Sequence, residues 1–237
     1  MGLSLLLAPE ASALQAPDPG VSPGLVSTAV RPDLVETQWP KHLPWDACPR
    51  PVWPGVRFTG EPGNGRRVLF VGDSLTRESR QRTTALLTEH GWNPTYRCWG
   101  SRRLDWGLDQ VARAKELKQL PSFVVMALGT NDISWETPQT TERRVRQLLD
   151  RLGPDRQVLW VDLHLTRSSW LNTRADWFNG LLRRLANGHP NLTVVHWHTV
   201  AKAHRIHGYD GIHYSPEGYR LRAKTVAEWL DRVGSRV

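Results

Sequence analysis

The apolar run Val68-Leu69-Phe70-Val71 ends directly in Gly72-Asp73-Ser74-Leu75, and an amphipathic stretch over residues 76–90 follows. This strand-to-helix junction constrains the chain more than any other feature. Open α/β sheets carry their active sites at the carboxyl ends of buried strands. The helix behind such a junction begins with unpaired backbone N–H groups and a positive dipole end. Together they suit an oxyanion formed during acyl transfer. Alone, the tripeptide also reads as a plain turn in which Asp73 or Ser74 only caps the helix.

Two further segments favour chemistry. Phe123-Val124-Val125-Met126-Ala127-Leu128 is a second buried-strand run and ends in Gly129-Thr130-Asn131-Asp132. Asp210-Gly211-Ile212-His213 stands near the C-terminus, followed by Ser215-Pro216-Glu217-Gly218 and a last helical pattern. In type and order these blocks (GDSL, then GxND, then DxxH) resemble the SGNH, or GDSL-type, hydrolase superfamily, over residues 66–237. The resemblance implies that Ser74 is the nucleophile and His213 its general base and later acid, with Asp210 orienting the imidazole. It also implies three oxyanion donors: the Ser74 N–H, the Asn131 side-chain amide, and a glycine N–H from the loop after the second strand. Gly100 is assigned to that place, with Gly107 as the fallback.

The residue types fit that chemistry. A serine hydroxyl is a weak nucleophile at neutral pH and needs an adjacent base. Histidine titrates near neutrality, so it can take and return the proton. An asparagine amide donates a hydrogen bond at any pH. Asp73 is read as fixing the turn. Gly20-Val21-Ser22-Pro23-Gly24 matches another hydrolase elbow by letter, but its surroundings are Pro-rich and contain no strand, so it is rejected. The expected chemistry needs no cofactor and no metal.

Beyond residue 66, strand-like and helical segments alternate. Strands are expected near 68–72, 94–98, 123–128, 157–163 and 193–197. Helices are expected near 75–90, 107–119, 139–152, 174–188 and 215–233. Alternation of this kind makes a parallel α/β sheet. The expected fold is a three-layer sandwich around a five-stranded, flavodoxin-like sheet, as in SGNH hydrolases. The 237 residues divide into a Pro-rich extension (1–65) and a hydrolase domain (66–237). Residues 1–13 carry a Leu run and an Ala-Ser-Ala end, half of a secretory signal pattern; it either points to a secreted or envelope-associated protein or is an accidental likeness in a cytoplasmic one. Residues 39–58, with three tryptophans, are read as an arm that packs on the domain.

Cys48 and Cys98 admit two readings, one disulfide or two free thiols. The formal charge of +8 permits electrostatic attachment to an anionic cell envelope. Arginines spread over helices, including Arg80 and Arg144, are read as solvated faces, and no nucleic-acid-binding module is present. No run approaches the ~20 apolar residues of a membrane span. Among twelve tryptophans, Trp99, Trp106, Trp135 and Trp170 flank the motifs, where they either brace loops or face substrate. His196 and His198, two apart on an expected strand, would face one side as a weak metal candidate.

These readings converge on a serine esterase acting on small acyl esters, acetyl above all, on O-acylated polysaccharide or peptidoglycan, with acyl-lipid and simple carboxyl ester substrates also open. Two alternatives stay open. The same residues serve an O-acyltransferase if an acceptor hydroxyl replaces water, and a silent carbohydrate-binding domain would keep the fold alone.

Overall fold

The computed structural model describes Cys48 and residues 66–236. The readings made for the rest of the first 65 residues lie outside the described residues. In chain order the elements are β1 (Arg66–Gly72), α1 (Ser74–Glu89), β2 (Trp92–Cys98), α2 (Leu104–Glu116), β3 (Phe123–Ala127), α3 (Asp132–Trp135), α4 (Pro138–Leu152), β4 (Gln157–Val161), α5 (Ser169–Gly188), β5 (Leu192–Val195), α6 (Trp197–Lys202) and α7 (Pro216–Gly234). All strand pairs are parallel, in the order β2-β1-β3-β4-β5. This is the expected flavodoxin-like sheet with helices on both faces.

The strands are apolar on both sides because both faces are covered. Strand periodicity sorts their side chains into two cores. Leu69, Val71, Val124, Met126 and Trp160 face one way, toward α2, α4 and α5. Val68, Phe70, Val125, Leu159 and Val161 face the other, toward α1, α6 and α7. Several helices start where a side chain caps them. Asp73, Thr137, Ser168 and Ser215 each accept a backbone N–H from the first turn, and Pro138 and Pro216 follow two of these caps.

The expected boundaries need correction at three places. β5 ends at Val195 and α6 begins at Trp197, so His196 and His198 do not share a strand face. His198 donates through Nδ1 to Leu163 O at 3.2 Å, and the His196 ring stands edge-on to Trp229. The two-residue spacing therefore does not converge them on a metal. Helix α5 starts five residues earlier than expected because Ser168 caps it. The four-residue α3 is too short to show a period in sequence.

Three residues read as ambiguous or solvated have defined structural roles. Cys48 and Cys98 form a disulfide with a Cα–Cα distance of 4.7 Å. Arg80 is buried, donates through Nη1 to Cys48 O at 2.7 Å, and lies 5.4 Å from the Tyr96 ring centre. It ties α1 to the disulfide rather than facing solvent.

Thiol titration of the denatured, unreduced protein should find no free thiol, and two after reduction. Gly129 has φ +130°, and a Cβ there would stand 2.6 Å from Phe178 Cζ in the core. Gly129→Ala should therefore lower stability by about 2–4 kcal/mol, read from urea denaturation midpoints.

Candidate active site

In this strand order β2 and β3 flank β1, and the chain leaves β1 and β3 toward opposite faces of the sheet. The divergence opens a crevice at the carboxyl ends of β1 and β3. Ser74 stands there as the first residue of α1. The turn into α1 is tight: a Cβ on Gly72 would lie 2.0 Å from Thr76 Oγ1. Asp73 caps the helix, its Oδ1 accepting the Leu75 N–H at 3.0 Å, while its carbonyl accepts the Arg77 N–H at 3.0 Å. Neither cap bond uses the Ser74 N–H. Burial pushes the Asp73 carboxyl up to about 6, opposed by the Arg222 charge and the Leu75 N–H.

His213 and Asp210 come from the loop before α7. Ser74 Oγ lies 3.0 Å from His213 Nε2, and His213 Nδ1 lies 2.6 Å from Asp210 Oδ2. A carboxylate only accepts, so Nδ1 carries the proton and Nε2 is the acceptor facing the serine hydroxyl. Asp210 Oδ1 also accepts the Ile212 and His213 N–H groups, each at 2.9 Å. Burial acts to raise the Asp210 pKa, but the His213 ring and these two N–H groups outweigh it and hold the carboxyl at about 2. The loop lies hard against the segment before α5. Gly211 has φ +66°, a Cβ on it would stand 2.6 Å from the Arg167 backbone nitrogen, and its carbonyl accepts the Thr166 N–H at 2.8 Å.

Asn131 follows β3 and Gly100 follows β2, the two strands that flank β1. The Asn131 amide donates one hydrogen to Arg102 O at 3.0 Å and has a second N–H. The Trp99 N–H donates to Gly72 O at 3.2 Å. Gly100 thus sits in a loop stapled at one end to β1 and at the other to Asn131. The Arg77 guanidinium reaches over it, with Nη1 3.5 Å from where a Cβ on Gly100 would stand. Gly107 has no such place. Its N–H bonds to Arg103 O inside α2, and a Cβ there would stand 2.5 Å from Leu128 Cδ1, so it is a packing glycine.

Sequence reasoning assigned no role to Asp132. It is fully buried, and both its oxygens accept the Leu104 N–H, at 3.0 and 3.1 Å, anchoring the start of α2. Burial pushes its carboxyl up to about 7, against the pull of that N–H and of Arg144 and Arg103. Arg144, read as solvated, closes an ion-pair cluster with Asp105 and Glu136 at 3.2 and 3.0 Å. The motif tryptophans separate into two kinds. Trp99 and Trp106 are half-buried with the Arg102 guanidinium near both rings, whereas Trp135 and Trp170 are exposed.

Comparison with known proteins places the chain in a family. The model of the GDSL-like Lipase/Acylhydrolase family matches residues 70–221. A Bacillus subtilis protein named "Putative peptidoglycan O-acetyltransferase YrhL" is 25% identical over 164 residues, covering 69% of this chain and 23% of that protein. This chain thus spans under a quarter of that relative. Among solved structures, the C-terminal catalytic domain of Streptococcus pneumoniae peptidoglycan O-acetyltransferase A aligns with a TM-score of 0.63 at 20% identity, covering 73% of this chain and 97% of that one. A G-D-S-L family lipolytic protein from Veillonella parvula gives 0.61 at 18%, covering 71% and 100%. An acetylxylan esterase from Geobacillus stearothermophilus gives 0.56 at 15%, covering 70% and 94%. At these identities the solved structures establish a shared fold.

Asp210 supplies a pH test. Its folded pKa of about 2 lies below the ordinary aspartate value of about 3.9. Its ionised form therefore stabilises the fold above about pH 4, and that contribution is lost as the pH falls toward 2. The stability gap between wild type and Asp210→Asn should shrink from pH 5 to pH 2, read from urea midpoints at each pH.

Proposed function

The chain belongs to the GDSL-like lipase and acylhydrolase family, and on that premise we propose that it is a serine esterase removing small acyl groups through a covalent acyl-serine intermediate. The observation that carries this reading is the unbroken hydrogen-bond chain Asp210–His213–Ser74, at 2.6 and 3.0 Å. Ser74 Oγ attacks the ester carbonyl while His213 Nε2 takes its proton. Asp210 holds the imidazole in the required tautomer and stabilises the imidazolium that forms. The developing oxyanion accepts from the Ser74 N–H, the second Asn131 amide hydrogen and the Gly100 N–H. Collapse of the tetrahedral intermediate expels the alcohol, which receives the proton from His213. Water then attacks the acyl-serine with His213 again as base, which releases the acid and restores the serine.

The substrate class proposed is the O-acetylated glycan, peptidoglycan included. The names of the B. subtilis and S. pneumoniae proteins support it, as does the fold shared with an acetylxylan esterase. The same two names favour a second reading, an O-acyltransferase in which an acceptor hydroxyl intercepts the acyl-serine. Acceptor-dependent product formation separates the two. A silent carbohydrate-binding domain would have no use for the hydrogen-bonded serine and histidine. The Cys48–Cys98 disulfide supports an oxidising, extracytoplasmic setting. The formal charge of +8 supports retention on an anionic envelope. No helix among the described residues is long and apolar enough to cross a membrane.

Hydrolysis of p-nitrophenyl acetate by wild type should fall at least about 1000-fold in Ser74→Ala. Equal rates in both proteins would remove Ser74 as nucleophile. Asn131→Ala should lower kcat by about 100- to 1000-fold while changing KM much less.

A further inference from the structure

Three large aromatic rings are exposed on segments that adjoin those bearing the candidate site residues. Trp135 is 80% exposed, Trp170 56%, and Tyr209 fully exposed. The other described tryptophans and tyrosines are buried or half-buried. Isolated exposed rings need no explanation, but three on segments bonded directly to one another mark an interaction surface.

Their placement is fixed by the segments that hold Asn131 and Asp210. Trp135 ends α3, four residues after Asn131. Trp170 lies in the first turn of α5, and Tyr209 directly precedes Asp210. Arg174 of α5 donates to Ile133 O at 2.6 Å and to Glu136 O, clamping the α3 segment that bears Trp135. The same guanidinium lies 5.3 Å from the Trp170 ring centre. The Thr166–Gly211 bond joins the segment leading to Trp170 to the loop bearing Tyr209. Beside that joint lies an open cavity of about 470 Å³, lined by Thr166, Arg167, Gly208, Tyr209, Asp210 and Gly211.

The chemistry of this rim selects its occupant. A long acyl chain requires an enclosed apolar channel. Here the cavity beside Tyr209 is open and lined largely by polar groups. A pyranose presents a flat C–H face, which packs on an aromatic ring, and a perimeter of hydroxyls, which pair with donors such as the exposed Arg167. Several rings spaced along a rim match successive sugars of a chain better than one sugar alone.

We propose that Trp135, Trp170 and Tyr209 form an extended saccharide-binding rim that holds a glycan chain while one of its O-acyl groups lies at Ser74. The ester-cleaving part rests on the esterase reading above; the glycan-binding part does not. Arg174 is a positioning residue that sets the relation of Trp135 to Trp170.

The experiment compares wild type with the triple variant Trp135→Ala/Trp170→Ala/Tyr209→Ala. The substrates are p-nitrophenyl acetate and two series of O-acetylated oligosaccharides, xylo- and chito-, from one to six sugars. Wild-type kcat/KM should rise about tenfold or more from one to six sugars in at least one series. The triple variant should lose that rise, so its hexasaccharide-to-p-nitrophenyl-acetate ratio falls by about tenfold. No rise with length in either series, or equal loss on both substrates, overturns the rim. If the wild type cleaves no ester, binding of the same hexasaccharides is measured by calorimetry on Ser74→Ala. Binding weakened tenfold by adding the three aromatic substitutions sustains the rim with the esterase reading gone. Absent binding, or binding indifferent to the rings, overturns it.

Discussion

The packing of α1 against α7 is the constraint on which the candidate site depends. Ser74 opens α1, and the Asp210–His213 loop, whose His213 lies 139 residues beyond Ser74, leads into α7. The two helices share a core that includes Leu75, Leu87, Tyr219, Val226 and Leu230. A buried bond from Arg222 Nη1 to Ser79 Oγ at 3.1 Å crosses the interface. At Gly218 the first turn of α7 passes so close to Ile206 that a Cβ would stand 2.7 Å from its carbonyl oxygen. Small displacements here would lengthen the 3.0 Å Ser74–His213 contact, so the chemistry inherits its geometry from helix packing.

The opposite wall is built differently. Asn131 and Gly100 are held by hydrogen bonds to backbone carbonyls, Trp99 N–H to Gly72 O and the Asn131 side-chain Nδ2 to Arg102 O. Asp132 then fixes the start of α2 behind them. The acyl-transfer reading thus sets a side-chain pair, carried by packed helices, opposite amide donors held by hydrogen bonds. On that reading the first moves a proton, and the second only waits in place for charge to develop.

Much of this was legible in the sequence because the signals were local. Buried strands read as apolar runs, and Ser74, Asn131, Asp210 and His213 sit in short blocks at strand or loop ends. What escaped the sequence was non-local or too brief. The His196–His198 reading failed because β5 stops at Val195, and nothing local distinguishes a strand's last residue from a following cap. Arg80 and Arg144 resemble solvent-facing helix residues until their partners, Cys48 O and the Asp105–Glu136 cluster, arrive from distant segments. The need for glycine at position 129 depends on Phe178, 49 positions away in sequence. Cysteine pairing likewise depends on geometry that spacing alone does not encode.

The Cys48–Cys98 bridge closes a loop with a sequence separation of 50. On chain-entropy grounds such a loop contributes about 4 kcal/mol by restricting the unfolded chain. A protease nick between residues 49 and 65 would leave the two fragments joined through sulfur, so no piece would depart under non-reducing conditions. The same nick would open the ring, and the entropic contribution would vanish although the disulfide itself stayed intact. A nicked protein would therefore migrate as intact without reductant, yet unfold more readily than the uncut chain.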